Sequence, residues 1–344
     1  MFFLFLSPFL IKELVMDIGE GFVFDLSGEH PELPFAEVIS VFEALDLDFE
    51  VFGCFNRVLV VGVEGLDVEY LSGRLSMSHR VCSLVGFERD YSGLIEVSSS
   101  LRPEGSFCVR AVNRGGSCGG RDVEREVGGV IDGVVDLDDP DVVYRVFIVD
   151  GGYVLGRELS DIDRGKFDRW KPTVRPHFSP VGINPRFARL IVNLSRVGRD
   201  EVLLDPFAGT GSFLIEGGFV RAFPVGVDID RDMLLGCRRN LDFVGLDSDL
   251  IQADALNLPF RERSVDAVVA DPPYGRSSRV DAGSLDELIN KSVEEMFRVL
   301  KKKGYLVLVL PEGTDLIGWA DEIESYRVRV HRSLTRVIRI FRRS

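Results

Sequence analysis

The feature that most constrains this fold is a regular alternation of short apolar runs and helical segments from residue 201 onward. Runs such as VLLD, PVGVDID, LIQADA, VDAVVADPP and GYLVLVLP have the length of buried strands, and amphipathic stretches separate them. Strands and helices that alternate at these lengths favour a mostly parallel, doubly wound sheet. The segment NPRFARLIVNL ahead of the first strand predicts a helix that begins just after Asn184, with Pro185 in its first turn.

Two peptides in this region are candidates for the chemistry. DPFAGTGSFLIE, residues 205–216, follows the apolar run EVLL, and ADPPYG, residues 270–275, completes the run VDAVVA. A buried strand that ends in an acidic residue and opens into a turn is how open α/β sheets build ligand sites at their carboxyl edge. Both peptides are therefore expected at one edge of the predicted sheet.

The first peptide is typical of a site for a nucleoside cofactor. Gly209 and Gly211 allow a sharp turn with no Cβ in the way of a ligand. Asp228, 23 residues after Asp205, ends the next strand and can accept hydrogen bonds from both ribose hydroxyls. Asp254 can accept from the adenine amino group, and Ala255 can donate a backbone N–H to the adenine.

The turn has no lysine or arginine, which a phosphate ligand usually attracts, so the pattern favours S-adenosylmethionine. The alternative is a generic dinucleotide-type half-fold whose aspartates only cap helices. The predicted cofactor-binding residues are Asp205, Pro206, Phe207, Ala208, Gly209, Thr210, Gly211, Asp228, Asp254 and Ala255.

The second peptide suits a flat base that bears an amine. Two prolines remove backbone donors and leave carbonyls free to accept. The Asp271 carboxylate and the Pro272 carbonyl would accept both hydrogens of an exocyclic amine, while Tyr274 would stack on the base. The alternative is a proline turn with a buried tyrosine. The predicted catalytic residues are Asp271, Pro272, Pro273 and Tyr274.

The charge distribution restricts where a nucleic acid could bind. The net charge of −14 argues against a polyanionic partner at first. However, residues 156–200 and 291–344 each carry a net charge of +5, whereas residues 1–155 carry −16. Two basic segments on an acidic body would allow RNA to bind locally, and solvated helix faces are the alternative interpretation.

Ahead of the sheet, two further α/β patterns are predicted. Residues 20–75 alternate apolar strands with one amphipathic helix, ELPFAEVISVFEAL. In residues 76–155 we predict a helix near SHRVCSLVGF, the strand SFCVRAV, the helix RDVEREVGGVIDGV and the strand VVYRVFIVDGGYVLGREL. The arrangement strand, helix, VDLDDPD, strand resembles a THUMP domain, an RNA-binding module of RNA-modifying enzymes.

The whole pattern resembles the class I S-adenosylmethionine-dependent amino-methyltransferases. DPPY matches their acceptor motif, DPFAGTGS their donor motif, and NPRFARLIVNL stands at their upstream cofactor-contacting motif. With the THUMP-like segment, the chain is similar to the archaeal tRNA guanosine N2-methyltransferases that modify position 10. The resemblance extends to RPHFSP and to the ending HRSLTRVI.

That resemblance implies an α/β fold in which an α+β N-terminal domain and a THUMP-like RNA-binding domain precede a Rossmann-like class I methyltransferase sheet. It also implies tRNA as the partner. The predicted division is an extension or mis-assigned start (1–19, with Met16 as a second start), an N-terminal α/β domain (20–75), a THUMP-like domain (76–155), a linker (156–180) and a methyltransferase domain (181–344). Candidate RNA contacts are Arg110, Arg114, Arg121, Lys171 and Arg175.

Several alternatives remain open on the sequence. They are methylation of guanosine 6 in tRNA, DNA adenine-N6 methylation, and a non-catalytic RNA-binding protein. His177 and His331 are interpreted as structural rather than as contacts to the cofactor or base.

Five scattered cysteines without a CxxC pair indicate free thiols and no metal site. No apolar run is long enough to span a bilayer. We therefore expect a cytoplasmic monomer, with a small activator subunit left open.

Overall fold

The computed structural model describes residues 20–115, 119–179, 182–273, 282–316, 321–331 and 334–344. The predicted extension, residues 1–19, lies outside these ranges. The described chain divides into two units. The first holds residues 20–35, 46–73 and 77–163, and the second holds residues 36–45, 74–76 and 164–344.

The first unit contains an eight-stranded sheet. Its strands are β1 Gly21–Leu26, β2 Phe49–Phe55, β3 Val58–Val63, β4 Ser78–Glu88, β5 Ser106–Asn113, β6 Val134–Val135, β7 Val142–Val149 and β8 Gly152–Asp161. They lie in the order β2-β3-β1-β4-β8-β7-β5-β6. The β5 strand runs parallel to β6 and β7, and the other pairs are antiparallel.

Two helices, α3 Tyr91–Ser99 and α4 Gly120–Val130, pack on one face of this sheet. Leu94, Val123 and Val127 from these helices join Tyr144 and Leu155 in a buried cluster. The helices α1 Leu33–Ala44 and α2 Val68–Arg74 precede them in the chain. Strands from the predicted N-terminal and THUMP-like segments share this one sheet, and the domain boundaries remain predictions.

The helix predicted near SHRVCSLVGF is wrong, because these residues form β4. This strand pairs with β1 on one side and with β8 on the other. Ladder pairing on both edges outweighs the local helical pattern, since strand preference depends mainly on the neighbours available. Its partner β8 continues to Asp161, so the linker predicted from residue 156 begins inside a strand.

The second unit contains a seven-stranded sheet in the order β11-β10-β9-β12-β13-β15-β14. The strands are β9 Val202–Asp205, β10 Phe223–Asp228, β11 Asp249–Gln252, β12 Val265–Ala270, β13 Leu300–Pro311, β14 Glu322–His331 and β15 Leu334–Arg342. The five strands β9–β13 run parallel, and β15 is antiparallel to both of its neighbours. The predicted doubly wound sheet is confirmed.

Helices flank these strands as the alternating pattern predicts. They are α5 Pro185–Leu194, α6 Ser212–Phe219, α7 Arg231–Phe243 and α8 Ala282–Val299, and a 3₁₀ helix covers Arg164–Trp170. Asn184 caps α5 by accepting from the Arg186 N–H, with Pro185 in the first turn, as predicted. A core of strand residues such as Leu204 and Val268 packs with Val293 of α8.

Residues 36–45 and 74–76 pack with this second unit through buried polar groups. The Glu37 carboxylate accepts from the Ser76 hydroxyl at 2.6 Å and from the Asn193 amide at 2.9 Å. Arg74 in turn donates to the Asn193 side chain at 3.0 Å. Asn193 lies on α5, so these two short segments help to fix α5, the helix that precedes β9. Across the described ranges, no helix has both the length and the apolar character to cross a membrane.

Candidate active site

The turn after β9 requires glycine at two positions. Gly209 and Gly211 have φ values of +50° and +83°, in the region that side chains rarely adopt. A Cβ on Gly211 would lie 2.5 Å from the Sγ of Cys237 on α7. Gly211 is also the residue from which α6 starts, so the backbone enters the helix directly from this turn. The turn therefore presents backbone rather than side chains to a ligand, as predicted for a nucleoside site.

Asp205 ends β9 inside the protein. Its side chain is almost fully buried and accepts the Phe207 N–H at 3.0 Å. Burial raises the pKa of Asp205 well above its usual value, and the charges of Asp228 and Asp271 raise it further. None of the ion pairs among the described residues involves Asp205. A buried carboxyl group that is not offset by a cation is typical of a functional site.

Asp228 ends β10, the strand next to β9. Its carboxylate accepts the Gly209 N–H at 2.8 Å and the Asp230 N–H at 2.9 Å. This carboxylate therefore fixes the glycine turn while remaining partly exposed. The predicted role of Asp228 in binding ribose stays a prediction.

Asp254 and Ala255 follow β11, on the far side of β10. Asp254 is exposed and accepts the Leu256 N–H at 2.9 Å, whereas Ala255 is buried. Because β9, β10 and β11 are adjacent and parallel, the three predicted acidic residues follow neighbouring strand ends. This order fits an elongated adenosyl ligand laid across the edge of the sheet. Their individual contacts to the cofactor stay predictions.

The acceptor motif lies on the other side of β9. Asp271 directly follows β12, which pairs with β9, and its side chain is 14% exposed. Pro272 is buried and Pro273 is exposed. Tyr274 lies outside the described residues. Because β9 and β12 are adjacent and parallel, the donor and acceptor motifs follow neighbouring strand ends at one edge of the sheet.

The segment before α5 packs against the donor turn. The Asn240 side chain on α7 donates to the carbonyls of Thr210 and His177 and accepts the His177 N–H. The His177 ring lies against Gly236, where a Cβ would be 2.2 Å from it. These contacts fit the structural interpretation of His177. No local sequence pattern predicts the role of Asn240, because its hydrogen-bond partners are up to 63 residues away.

The predicted RNA contact at Arg175 is wrong. The side chain is 4% exposed, its Nε donates to the Trp170 carbonyl at 2.7 Å, and its Nη1 donates to the Ser212 hydroxyl at 3.0 Å. Burial lowers the pKa of Arg175. A guanidinium enclosed in this way cannot reach an RNA phosphate at the surface. It supports the first residue of α6 instead.

Arg114 also has an interior role. Its Nε donates to the carboxylate of the buried Asp25 at 3.0 Å, so its proposed phosphate contact is not supported. Arg110 donates to the Leu137 carbonyl at 2.6 Å, and Lys171 lies 3.7 Å from Asp168. Arg121 is exposed at the start of α4. Roles for Arg110, Arg121 and Lys171 in binding RNA remain predictions.

The cysteines that the structure describes include one beside the donor turn. The described cysteines Cys54, Cys82, Cys108 and Cys237 are free. Burial raises the pKa of the Cys237 thiol beside the donor turn to about 12, so this thiol stays protonated. Within the described ranges, no group of three or more His, Cys, Asp or Glu side chains is placed to hold a metal ion.

The strand order, the glycine turn after β9 and the Asp-Pro-Pro motif after β12 define a class I methyltransferase. A family model described as "RMKL-like, methyltransferase domain" matches residues 172–338. A protein of Methanothermobacter thermautotrophicus, named tRNA (guanine(10)-N2)-dimethyltransferase, is 36% identical over 92% of this chain and 98% of its own length. The chain belongs to the family of tRNA (guanine(10)-N2)-dimethyltransferases.

A second relative agrees with this chain in length, and a solved structure agrees with it in fold. A protein with the same name from Methanocaldococcus jannaschii is 29% identical and covers 92% of this chain and 98% of its own. The crystal structure of TrmN from Thermus thermophilus superposes with a TM-score of 0.54 at 22% identity, covering 94% of this chain and 99% of TrmN. At that identity the likeness concerns the fold alone.

Proposed function

We propose that this enzyme transfers methyl groups from S-adenosylmethionine to the exocyclic N2 of guanosine 10 in tRNA, adding one methyl group and then a second. The observation that supports the proposal is that Asp205 and Asp271 lie at the ends of the adjacent parallel strands β9 and β12, in a chain that belongs to this family. A donor site beside an amine-accepting site is what methyl transfer to nitrogen requires.

The donor side would hold the cofactor mainly by backbone and carboxylates. The glycine turn provides the close approach, Asp228 would accept from the ribose hydroxyls, and Asp254 would accept from the adenine amino group. The first N–H groups of α6 have no partner within the helix. They lie next to the turn, where they favour an anionic ligand group. S-adenosylmethionine supplies a methyl group already activated on its sulfonium.

The acceptor side would prepare the nitrogen. Asp271 and the Pro272 carbonyl accept the two amine hydrogens, so the nitrogen lone pair is withdrawn from the ring and directed at the methyl carbon. Transfer would form the N–C bond as the C–S bond of the donor breaks with its electron pair left on sulfur, and Asp271 would take one amine proton. Most of the rate should come from this in-line positioning.

The target guanine must leave its stack to reach the site, because the N2 of a paired and stacked guanine is not free to attack. We assign tRNA binding to the THUMP-like region, with Arg110 and Arg121 as phosphate contacts, and we propose a monomeric cytoplasmic enzyme. Replacing Arg110 and Arg121 together with glutamine should weaken tRNA binding several-fold and reduce its salt dependence, with cofactor affinity unchanged. An unchanged tRNA affinity would remove these two residues from the interface.

The test of the function is transfer of a labelled methyl group from S-adenosylmethionine to unmodified tRNA or to duplex DNA. We expect label in tRNA alone, recovered as N2-methylguanosine and N2,N2-dimethylguanosine. Label in DNA adenine would replace the proposal with the DNA methylation alternative. Binding of tRNA without any transfer would favour the non-catalytic RNA-binding alternative.

A further inference from the structure

Arg336 on β15 lies next to the acceptor motif, although 65 residues separate it from Asp271. Its Nη2 is 3.7 Å from the Oδ2 of Asp271, and the side chains are 19% and 14% exposed. Arg336 pairs with Pro311 of β13, the strand between β12 and β15 in the sheet. The pair therefore spans the end of β13. The next residues on the same face of β15, Ile338 and Ile340, are fully buried and fix the position from which Arg336 extends.

The charges around Asp271 explain why a cation matters there. Asp205 follows β9, the strand next to β12, and Asp228 follows β10, one strand further, and a carboxylate at either position disfavours ionisation of Asp271. At the end of β13, the Glu312 carboxylate forms an ion pair with the Nε of Arg327 at 3.2 Å. An arginine at 3.7 Å has the opposite effect to the two aspartates, because an opposite charge within about 4–6 Å favours the charged form.

We propose that Arg336 is a positioning residue that keeps the Asp271 carboxylate ionised and oriented for the amine. The inference rests on the proposed function, since it assigns Asp271 the task of accepting the amine hydrogens. A neutral Asp271 would offer a hydroxyl donor where an acceptor is needed. Arg336 acts through Asp271 and leaves the donor turn unchanged.

The test compares the wild type with Arg336→Met, Arg336→Lys and a matched control, Arg339→Met. Arg339 lies on the same strand, points to the opposite face, is 22% exposed and pairs with Glu322. Single-turnover methyl transfer to unmodified tRNA is measured from about pH 5 to pH 9, the range in which catalytic acids and bases titrate. Affinity for S-adenosylhomocysteine, tRNA affinity and the free energy of unfolding are measured for each protein.

For Arg336→Met we expect a rate about 10–100-fold lower on the acid limb of the pH–rate profile, with that limb moved up by about 1–2 pH units. The rate should recover partly at high pH, with S-adenosylhomocysteine and tRNA affinities unchanged. Arg336→Lys should restore most of the rate and the wild-type limb. Arg339→Met should match the wild type throughout.

Three results would overturn the inference. They are an acid limb that does not move, an equal loss in Arg339→Met, or a loss of tRNA affinity in place of rate, which would make Arg336 an RNA contact. If Arg336→Met does not fold, Arg336→Gln takes its place with the same expectation. A wild type that methylates no tRNA at any pH would instead reject the proposed function, so the two failures are distinguishable.

Discussion

Among the described residues, two aspartates are almost fully buried, one in each unit, and their surroundings are opposite. Asp25 on β1 is paired with Arg80 at 3.2 Å and with Arg114 at 3.0 Å. Asp205 at the end of β9 accepts one backbone N–H, belongs to none of the described ion pairs, and has a raised pKa. Burial of a charge is costly unless a partner compensates it. Asp25 therefore has a structural role in the first unit, whereas Asp205 has no compensating cation at the candidate active site.

The largest effect should come from removing the carboxylate of the acceptor motif. Asp271→Ala should lower the methyl-transfer rate by about 10²–10⁴-fold, because a positioned proton acceptor contributes on that order. The free energy of unfolding and the affinity for S-adenosylhomocysteine should stay close to the wild type. Single-turnover kinetics and calorimetry check this. A variant that loses the cofactor as well would show that Asp271 belongs to the donor site.

In the first unit we expect a loss of stability without a loss of activity. Asp25→Asn leaves Arg80 and Arg114 without their common anion, so the free energy of unfolding should fall by about 3 kcal/mol. The methyl-transfer rate of the folded protein should be unchanged. Urea unfolding measures the loss, and Asp122→Asn, which removes an exposed partner of Arg125, is the control that should have no measurable effect. Equal stability of the two variants would contradict a structural role for the Asp25 cluster.

A side chain added to the donor turn should strain its backbone. Gly211→Ala places a Cβ 2.5 Å from the Cys237 Sγ at a φ of +83°, which should cost about 2 kcal/mol of stability and weaken cofactor binding. The double variant Gly211→Ala, Cys237→Ala should recover the part of the loss that comes from the steric clash. Thermal unfolding and calorimetry measure both quantities. Full stability in the single variant would mean that the turn tolerates a side chain.

The smallest effect is a change in how stability depends on pH. The pKa of Asp205 is raised in the folded state, so the folded protein holds a proton that the unfolded chain releases. The stability from that proton is fully present below about pH 4 and is lost as the pH rises toward the folded pKa. Asp205→Asn removes this loss, because an asparagine has no proton to release.

The stability of Asp205→Asn relative to the wild type should therefore increase from about pH 4 to pH 7. Urea unfolding at several pH values measures this difference. A difference that decreases over that range would mean that the folded state does not raise the pKa of Asp205.

The sequence predicted the second unit better than the first for a physical reason. Strand ends with acidic residues and glycine turns are local patterns, so Asp205, Gly211 and Asp271 could be located within their own peptides. The β4 strand was missed because its conformation depends on pairing with β1 and β8. Its segment alone favours a helix.

Long-range contacts within the second unit were also beyond the sequence. Arg175 looked like a surface cation in a basic segment, and only the packing of α6 and the 3₁₀ helix shows that it is enclosed. Asn240 and Arg336 act across 63 and 65 residues, and no spacing rule connects them to their partners. The donor and acceptor motifs were predictable, whereas the side chains that hold them were not.

The most direct measurement is nucleoside mass spectrometry of tRNA after reaction with the wild type and with Asp271→Ala. We predict N2-methylguanosine and N2,N2-dimethylguanosine at position 10 with the wild type, and no modification with the variant or in tRNA that carries adenosine at position 10. Methylation at another position, on another base, or at an unchanged level by Asp271→Ala would contradict the assignment of Asp271 as the acceptor of the guanine amine.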